Sequence, residues 1–323
     1  MFAAALLALA AQEVPPPLPP LPDARPAAAP VLDVDGAPVE PGRLPASTAP
    51  EARAAWERLA AAIAAGATSR EPVTGFDLQL DLRLRVRENQ SNDFPGARYA
   101  YLAPSWLLAD TGKGRRQVRG PRGDWLYDAT VPTERALVRL DVGRENAEDR
   151  RQLDEALVVA RLFSLLVDAR NVRIVRLVPA ENPQTLLPAK AAQAARALSW
   201  FELETPDVRP GAGNPRGARI LLGLAADSGL PALALSDDAA APRRVNPTTA
   251  AIALSDWRAF DGRLLPRKVL VHLPRIVEVR GAGESSSRVA DGWRAEPAMD
   301  LVVKSGTLSA PLTPEDFLPP APR

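Results

Sequence analysis

The chain has 323 residues, of which 46% are hydrophobic and 24% charged, an ordinary globular balance with room for one large or two medium domains. A formal net charge of +1 supplies no global field for nucleic acid or anionic headgroups, so no nucleic-acid partner is expected. Cysteine is absent, which removes disulfides, thiolate metal sites, thiol nucleophiles and a lipidated N-terminal cysteine as an anchor.

Residues Phe2 to Ala11 form an apolar run whose Ala8-Leu9-Ala10 fits a small-residue cleavage site. The run is too short to span a bilayer, and it reads as a secretory signal that lacks a basic start. From residue 12 to residue 47 the chain is rich in Pro and Ala, opening with Pro15-Pro16-Pro17. Such a segment cannot offset its ordering entropy, so it is expected to be an unstructured spacer. Order is expected from Thr48 to Pro320 as one domain, with residues 321–323 as a tail.

Thr48-Ala49-Pro50-Glu51 has the spacing of a capping box. Trp56, Leu59, Ala60 and Ile63 follow at helical spacing, and Gly66 is placed to stop the helix. Next, Phe76, Leu78, Leu80, Leu82, Leu84 and Val86 alternate with polar residues, the pattern of a long strand with one dry face. Further strand patterns fall at Arg98–Leu108, Arg116–Arg119, Asp124–Thr130 and Ala136–Asp141. Between Glu145 and Asp168 the period changes to that of a helix, apolar nearly all round in its second half and therefore buried on most sides.

Strand patterns resume at Val172–Val178, Leu198–Thr205, Ala218–Ala225, Leu230–Ser236, Ala251–Arg258, Arg263–Leu273, Val277–Arg280 and Asp300–Lys304. Asp261-Gly262 is a tight-turn signal between two of them. Short connections between successive strands favour an antiparallel meander over βαβ units. The expected class is α+β, mainly β.

Conventional chemistry is sparse. His272 is the sole histidine and sits in a strand pattern without metal-ligand company. Asp237-Asp238 with Asp227 reads as turn chemistry, and Gly281 to Ser287 as a polar loop without the strand and helix of a phosphate cradle. Lys113, Arg115, Arg116, Arg119 and Arg122 form a basic hairpin, read as solvated. Ser286 lacks a triad context. No enzyme activity, cofactor or metal is expected.

One stretch is more distinctive. Gly123-Asp124-Trp125-Leu126-Tyr127-Asp128 follows Ala103-Pro104-Ser105-Trp106-Leu107 across the basic hairpin, and alternation puts Trp125 and Tyr127 on one face of a sheet. Pro104-Ser105-Trp106, the Gly123 to Asp128 element, Leu203-Glu204-Thr205-Pro206, Asp261 to Pro266 and Phe317-Leu318-Pro319-Pro320 occur in an order that resembles the bacterial periplasmic lipoprotein carriers of the LolA/LolB type. The resemblance covers residues 51 to 320. It implies a curved antiparallel sheet forming an incomplete, half-open barrel around helices, with an apolar groove for acyl chains. Before the first motif's proline, where the carriers place an arginine that helps latch a lid, this chain has Ala103.

With the strand and helix periodicities, the resemblance implies a groove lined by Leu82, Trp106, Trp125, Tyr127, Leu157 and Phe163. The partner it implies is a lipid or the acyl chain of a lipoprotein, in the periplasm, the protein being peripheral rather than integral to the membrane. A second reading stays open: a structural or sensory envelope protein with the same fold, a packed groove and a protein partner.

Overall fold

A computed structural model describes residues 31–318, apart from 66–72, 88–89, 104–105, 122, 133–135, 141–146, 169–171, 207–215, 240, 242 and 281–285. The signal-like run, the first part of the spacer, Gly66, Pro104, Ser105, Arg122, Glu145, Gly281 and residues 319–323 lie outside the described residues.

Two antiparallel meanders and a joining strand make the frame. After helix α1 (Pro50–Ile63), the strands β1 (Gly75–Arg87), β2 (Gln90–Leu102), β3 (Trp106–Asp110), β4 (Arg115–Gly120), β5 (Gly123–Asp128) and β6 (Leu137–Leu140) each pair with the one before. Helix α2 (Ala147–Val167) then carries the chain to the far edge of the sheet. There β7 (Arg176–Pro179), the short helix α3 (Ala189–Ala194), β8 (Leu198–Pro206), β9 (Arg216–Ala225), β10 (Pro231–Asp238), β11 (Ala250–Phe260) and β12 (Arg263–His272) build the second wing. A separate hairpin, β13 (Pro274–Arg280) and β14 (Ser286–Trp293), leads to β15 (Met299–Leu308). That last strand pairs with both β1 and β12 and closes the seam between the wings. The 13-stranded sheet is antiparallel throughout and open, with β6 and β7 at its edges.

Local sequence explains most of these elements. In β1, Phe76, Leu78, Leu80 and Leu82 are all at most 4% exposed, on the face turned toward the helices. Each such burial contributes roughly 1.5–3 kcal/mol, enough to fix the register against a one-residue slip. Asp77, of the opposite parity, accepts two bonds from Arg98. Asp261 and Gly262 take φ of 45° and 77°, the left-handed turn that the Asp-Gly pair predicts between β11 and β12. α2 packs on β2 to β5 in one wing and on β12 in the other, and one helix reaches both wings only if the sheet curls around it. Trp56 of α1 meets Phe201 of β8 edge to face, with centroids 6.4 Å apart. No helix among the described residues is long and apolar enough to cross a membrane.

Four expectations need correction. Residues 31–47 are not featureless: Val34 donates to the Val175 carbonyl and Gly42 to that of Val172, while Asp33 caps the turn through Asp35 and Ala37. The segment covers the chain just ahead of edge strand β7, whose unpaired backbone groups supply the partners that its own composition lacks. The capping box at Thr48 is absent; Ala49 is the N-cap, Pro50 supplies the first turn and the Thr48 hydroxyl finds no hydrogen bond among the described residues. The pattern at Arg98–Leu108 is not one strand but parts of two, β2 and β3, paired antiparallel. Finally, Ser286 begins β14, so the polar stretch read as loop continues into a strand.

Candidate functional site: the interior of the half-barrel

The concave side of the sheet is one contiguous apolar body. Leu82 of β1 and Leu157 and Phe163 of α2 belong to it, and the two helical residues are fully buried. Phe163 meets Phe76 edge to face at 6.3 Å, and Phe76 stacks tilted on Tyr101 at 5.7 Å. Burial raises the pKa of the Tyr99 hydroxyl and pushes that of Tyr101 up to about 12, so both stay neutral donors in the interior.

The structure divides the six residues expected to line one groove. Trp106 and Trp125 are buried on the opposite, convex face, in a cluster with Ala100, Leu108, Val118 and Phe317. Their rings lie 6.2 Å apart, and Trp106 lies tilted against Phe317 at 5.6 Å. Tyr127, two residues beyond Trp125 and half-buried, shares that strand parity and so is also directed away from the interior. Alternation was right that Trp125 and Tyr127 share a face. It could not say which face the helices would cover, because a two-residue period fixes which side chains point together and not which side is inside. The interior parity is that of Asp124 and Leu126, the latter packed against the main core.

A polar tie settles that choice, and it corrects the reading of Arg119 as part of a solvated hairpin. Arg119 of β4, only 8% exposed, donates to Asp124 of β5 at 3.2 Å and to Asp154 of α2 at 2.7 Å. Burial by itself lowers the pKa of this guanidinium, but the two carboxylates outweigh it and hold the group charged. At the other end of α2, Asp168 accepts from the Val73 backbone at 3.0 Å and pairs with Arg263 of β12 at 3.4 Å. Helix and sheet are therefore joined by ion pairs in both wings. A signal existed: Arg119 and Asp124 stand opposite each other across the Gly120–Gly123 hairpin.

Convex-face chemistry is likewise structural. Glu202, 1% exposed, accepts from Arg176 at 3.0 Å and Arg243 at 2.7 Å. Asp237 accepts from Arg219, Asn246 and Thr248, and its burial raises its pKa in spite of those bonds. These bonds hold residues 243–249 onto the sheet. His272 is half-buried, its Nδ1 without a hydrogen bond among the described residues; burial lowers its pKa, so it is neutral near pH 7. Among the described residues no group of three or more His, Asp or Glu side chains could hold a metal ion.

The class defined by this geometry is an open antiparallel half-barrel wrapped around helices over an apolar interior. No family model matches the sequence, and no curated protein matches it. Among solved structures, the chain is similar to a DUF1329 family protein from Desulfovibrio piger, at 14% identity, TM-score 0.42, over 83% of this chain and 97% of that one. It is also similar to a LolA superfamily protein from Nitrosomonas europaea, at 12% identity, TM-score 0.39, over 83% and 97% of the two chains. A third is an outer-membrane lipoprotein-sorting protein domain from Vibrio parahaemolyticus, at 10% identity, TM-score 0.36, over 82% and 97%.

Proposed function

We propose that this protein is a non-catalytic carrier or sensor of the bacterial envelope that holds acyl chains of a lipid or lipoprotein against the concave face of its sheet. The observation that carries the reading is the cover over that face: helices, not a second sheet, close an apolar surface bearing Leu82, Leu157 and Phe163. A helix tied by discrete ion pairs can lift as a unit, and the surface it uncovers is continuous. Each methylene then buried contributes roughly 0.8 kcal/mol, so a partly enclosed acyl chain binds usefully. The motif order that resembles the lipoprotein carriers and the signal-like start point to the same compartment.

Mass spectrometry of lipids retained by natively purified protein, with uptake of a fluorescent fatty acid, tests the proposal. Leu157→Asp is expected to abolish both, with circular dichroism establishing that the variant is folded. A folded wild type that neither retains lipid nor takes up the probe overturns it. The complete burial of Leu157 and Phe163 favours a second reading for that outcome: a permanently packed interior, the fold serving as a scaffold for an envelope protein.

A further inference from the structure

We propose that the aromatic slot on the convex face is a peptide-docking site, filled here by the chain's own C-terminal segment and opened to another protein's proline-flanked aromatic segment when that tail leaves. This is independent of the acyl-binding reading, since the slot and the interior lie on opposite faces of the sheet.

The slot is built for one inserted ring. Gly120 permits it: a Cβ there would stand 2.4 and 2.5 Å from carbons of the Trp106 indole, so only glycine lets that ring lie across β4. Trp106 and Trp125 form the walls, Leu102 and Leu137 rim them, and Leu312 and Leu318 of the tail pack beside Phe317. Phe317 enters fully buried, whereas Thr313, Glu315 and Asp316 stay exposed. One fully buried aromatic, with half-buried leucines beside it and polar residues exposed between them, is how a short linear segment docks.

The tail is constructed as a ligand. Its turn, Pro314–Phe317, is preorganised by Pro314 and by a capping box in which Asp316 accepts from the Thr313 backbone at 2.8 Å and its hydroxyl at 3.2 Å. It hangs from β15 by a short connection whose first residue, Ser309, is held at φ 56°, a left-handed conformation that costs a non-glycine residue energy. Asp316 lies within electrostatic reach of Arg98, a guanidinium bonded first of all to Asp77, so an acidic residue beside the aromatic suits the rim. Trp125 Nε1 is buried and finds no hydrogen-bond acceptor among the described residues. A competing segment that brings a carbonyl to this indole gains a hydrogen bond that Pro314 to Leu318 do not supply. The partner's chemistry follows: an extended stretch with an acidic residue, then Phe, Tyr or Trp, next to proline.

The test uses full-length protein and a fluorescein-labelled peptide with the sequence of residues 310–318. Phe317→Ala empties the slot, and fluorescence anisotropy is expected to show the peptide binding this variant at least tenfold more tightly than wild type. Asp316→Ala, which removes the capping box and the charge facing Arg98 and keeps the anchor, should shift binding in the same direction by a smaller factor. A peptide carrying Ala in place of its Phe should lose binding to both. If folded Phe317→Ala and Asp316→Ala proteins bind the peptide no better than wild type, the slot is simply closed core and the proposal fails. If wild type instead forms a concentration-dependent dimer that Phe317→Ala abolishes, the occupant is a second copy's tail, which overturns the assignment to another protein.

Discussion

Phe163→Ala probes the interior most directly. The side chain is fully buried, sits on the α2 face turned to the sheet and meets the Phe76 ring edge to face. Truncating a buried Phe removes its transfer free energy and leaves a void, for a cost of about 3–5 kcal/mol. At roughly 2 °C per kcal/mol, suited to a chain of this length, the melting temperature should fall by about 6–10 °C. Thermal melts followed by circular dichroism, with urea titration to show an unchanged m-value, read that effect. A matched change at exposed Val138 to Ser should stay within about 0.5 kcal/mol of wild type. A fatty acid added to Phe163→Ala should recover part of the lost stability by filling the void. A shift under about 2 °C would refute the argument, since it would mean that Phe163 is not held against the sheet in solution.

Gly120→Ala should cost about 1–3 kcal/mol through overpacking against Trp106 and red-shift tryptophan emission; wild-type stability and spectrum would show that the ring can move aside. Asp237→Ala leaves Arg219, 6% exposed, without the carboxylate it donates to, and should cost about 3–5 kcal/mol. Limited proteolysis should then cut within residues 243–249, which Asp237 anchors through Asn246 and Thr248; an uncut segment would argue against that anchoring role. For His272 the folded pKa lies below the unfolded value of 6.5, so the unfolded chain binds more protons in the window beneath it. Stability from this group is therefore complete above pH 6.5 and is lost as pH falls toward the folded pKa. Glu296 opposes the burial effect and Lys190 adds to it. The wild-type melting temperature should decline with acidification just below pH 6.5 more steeply than that of His272→Gln, and parallel curves would rule this contribution out.

Much of the fold is written in local pattern. The alternation from Phe76 to Leu82, the Asp261-Gly262 turn and the apolar second half of the helix ending at Val167 each depend on near neighbours in the chain, so each is legible in the amino-acid order. Likewise, short turns between successive strands commit the chain to an antiparallel sheet. Other features escape such a reading because their partners are remote in sequence. β15 joins β1 to β12 across more than two hundred residues, and the segment from residue 31 to 47 finds its hydrogen bonds only at Val172 and Val175.

The candidate site shows the same boundary. Sequence alone determined that Leu82, Leu157 and Phe163 are apolar on the buried sides of their elements, and that Trp125 and Tyr127 share a strand face. Tertiary structure decided that this face is the convex one. A two-residue period fixes which side chains point together but carries no sign for inside or outside; that sign came from Arg119, whose two carboxylates bind β4 and β5 to α2 and turn Asp124, not Trp125, toward the helix.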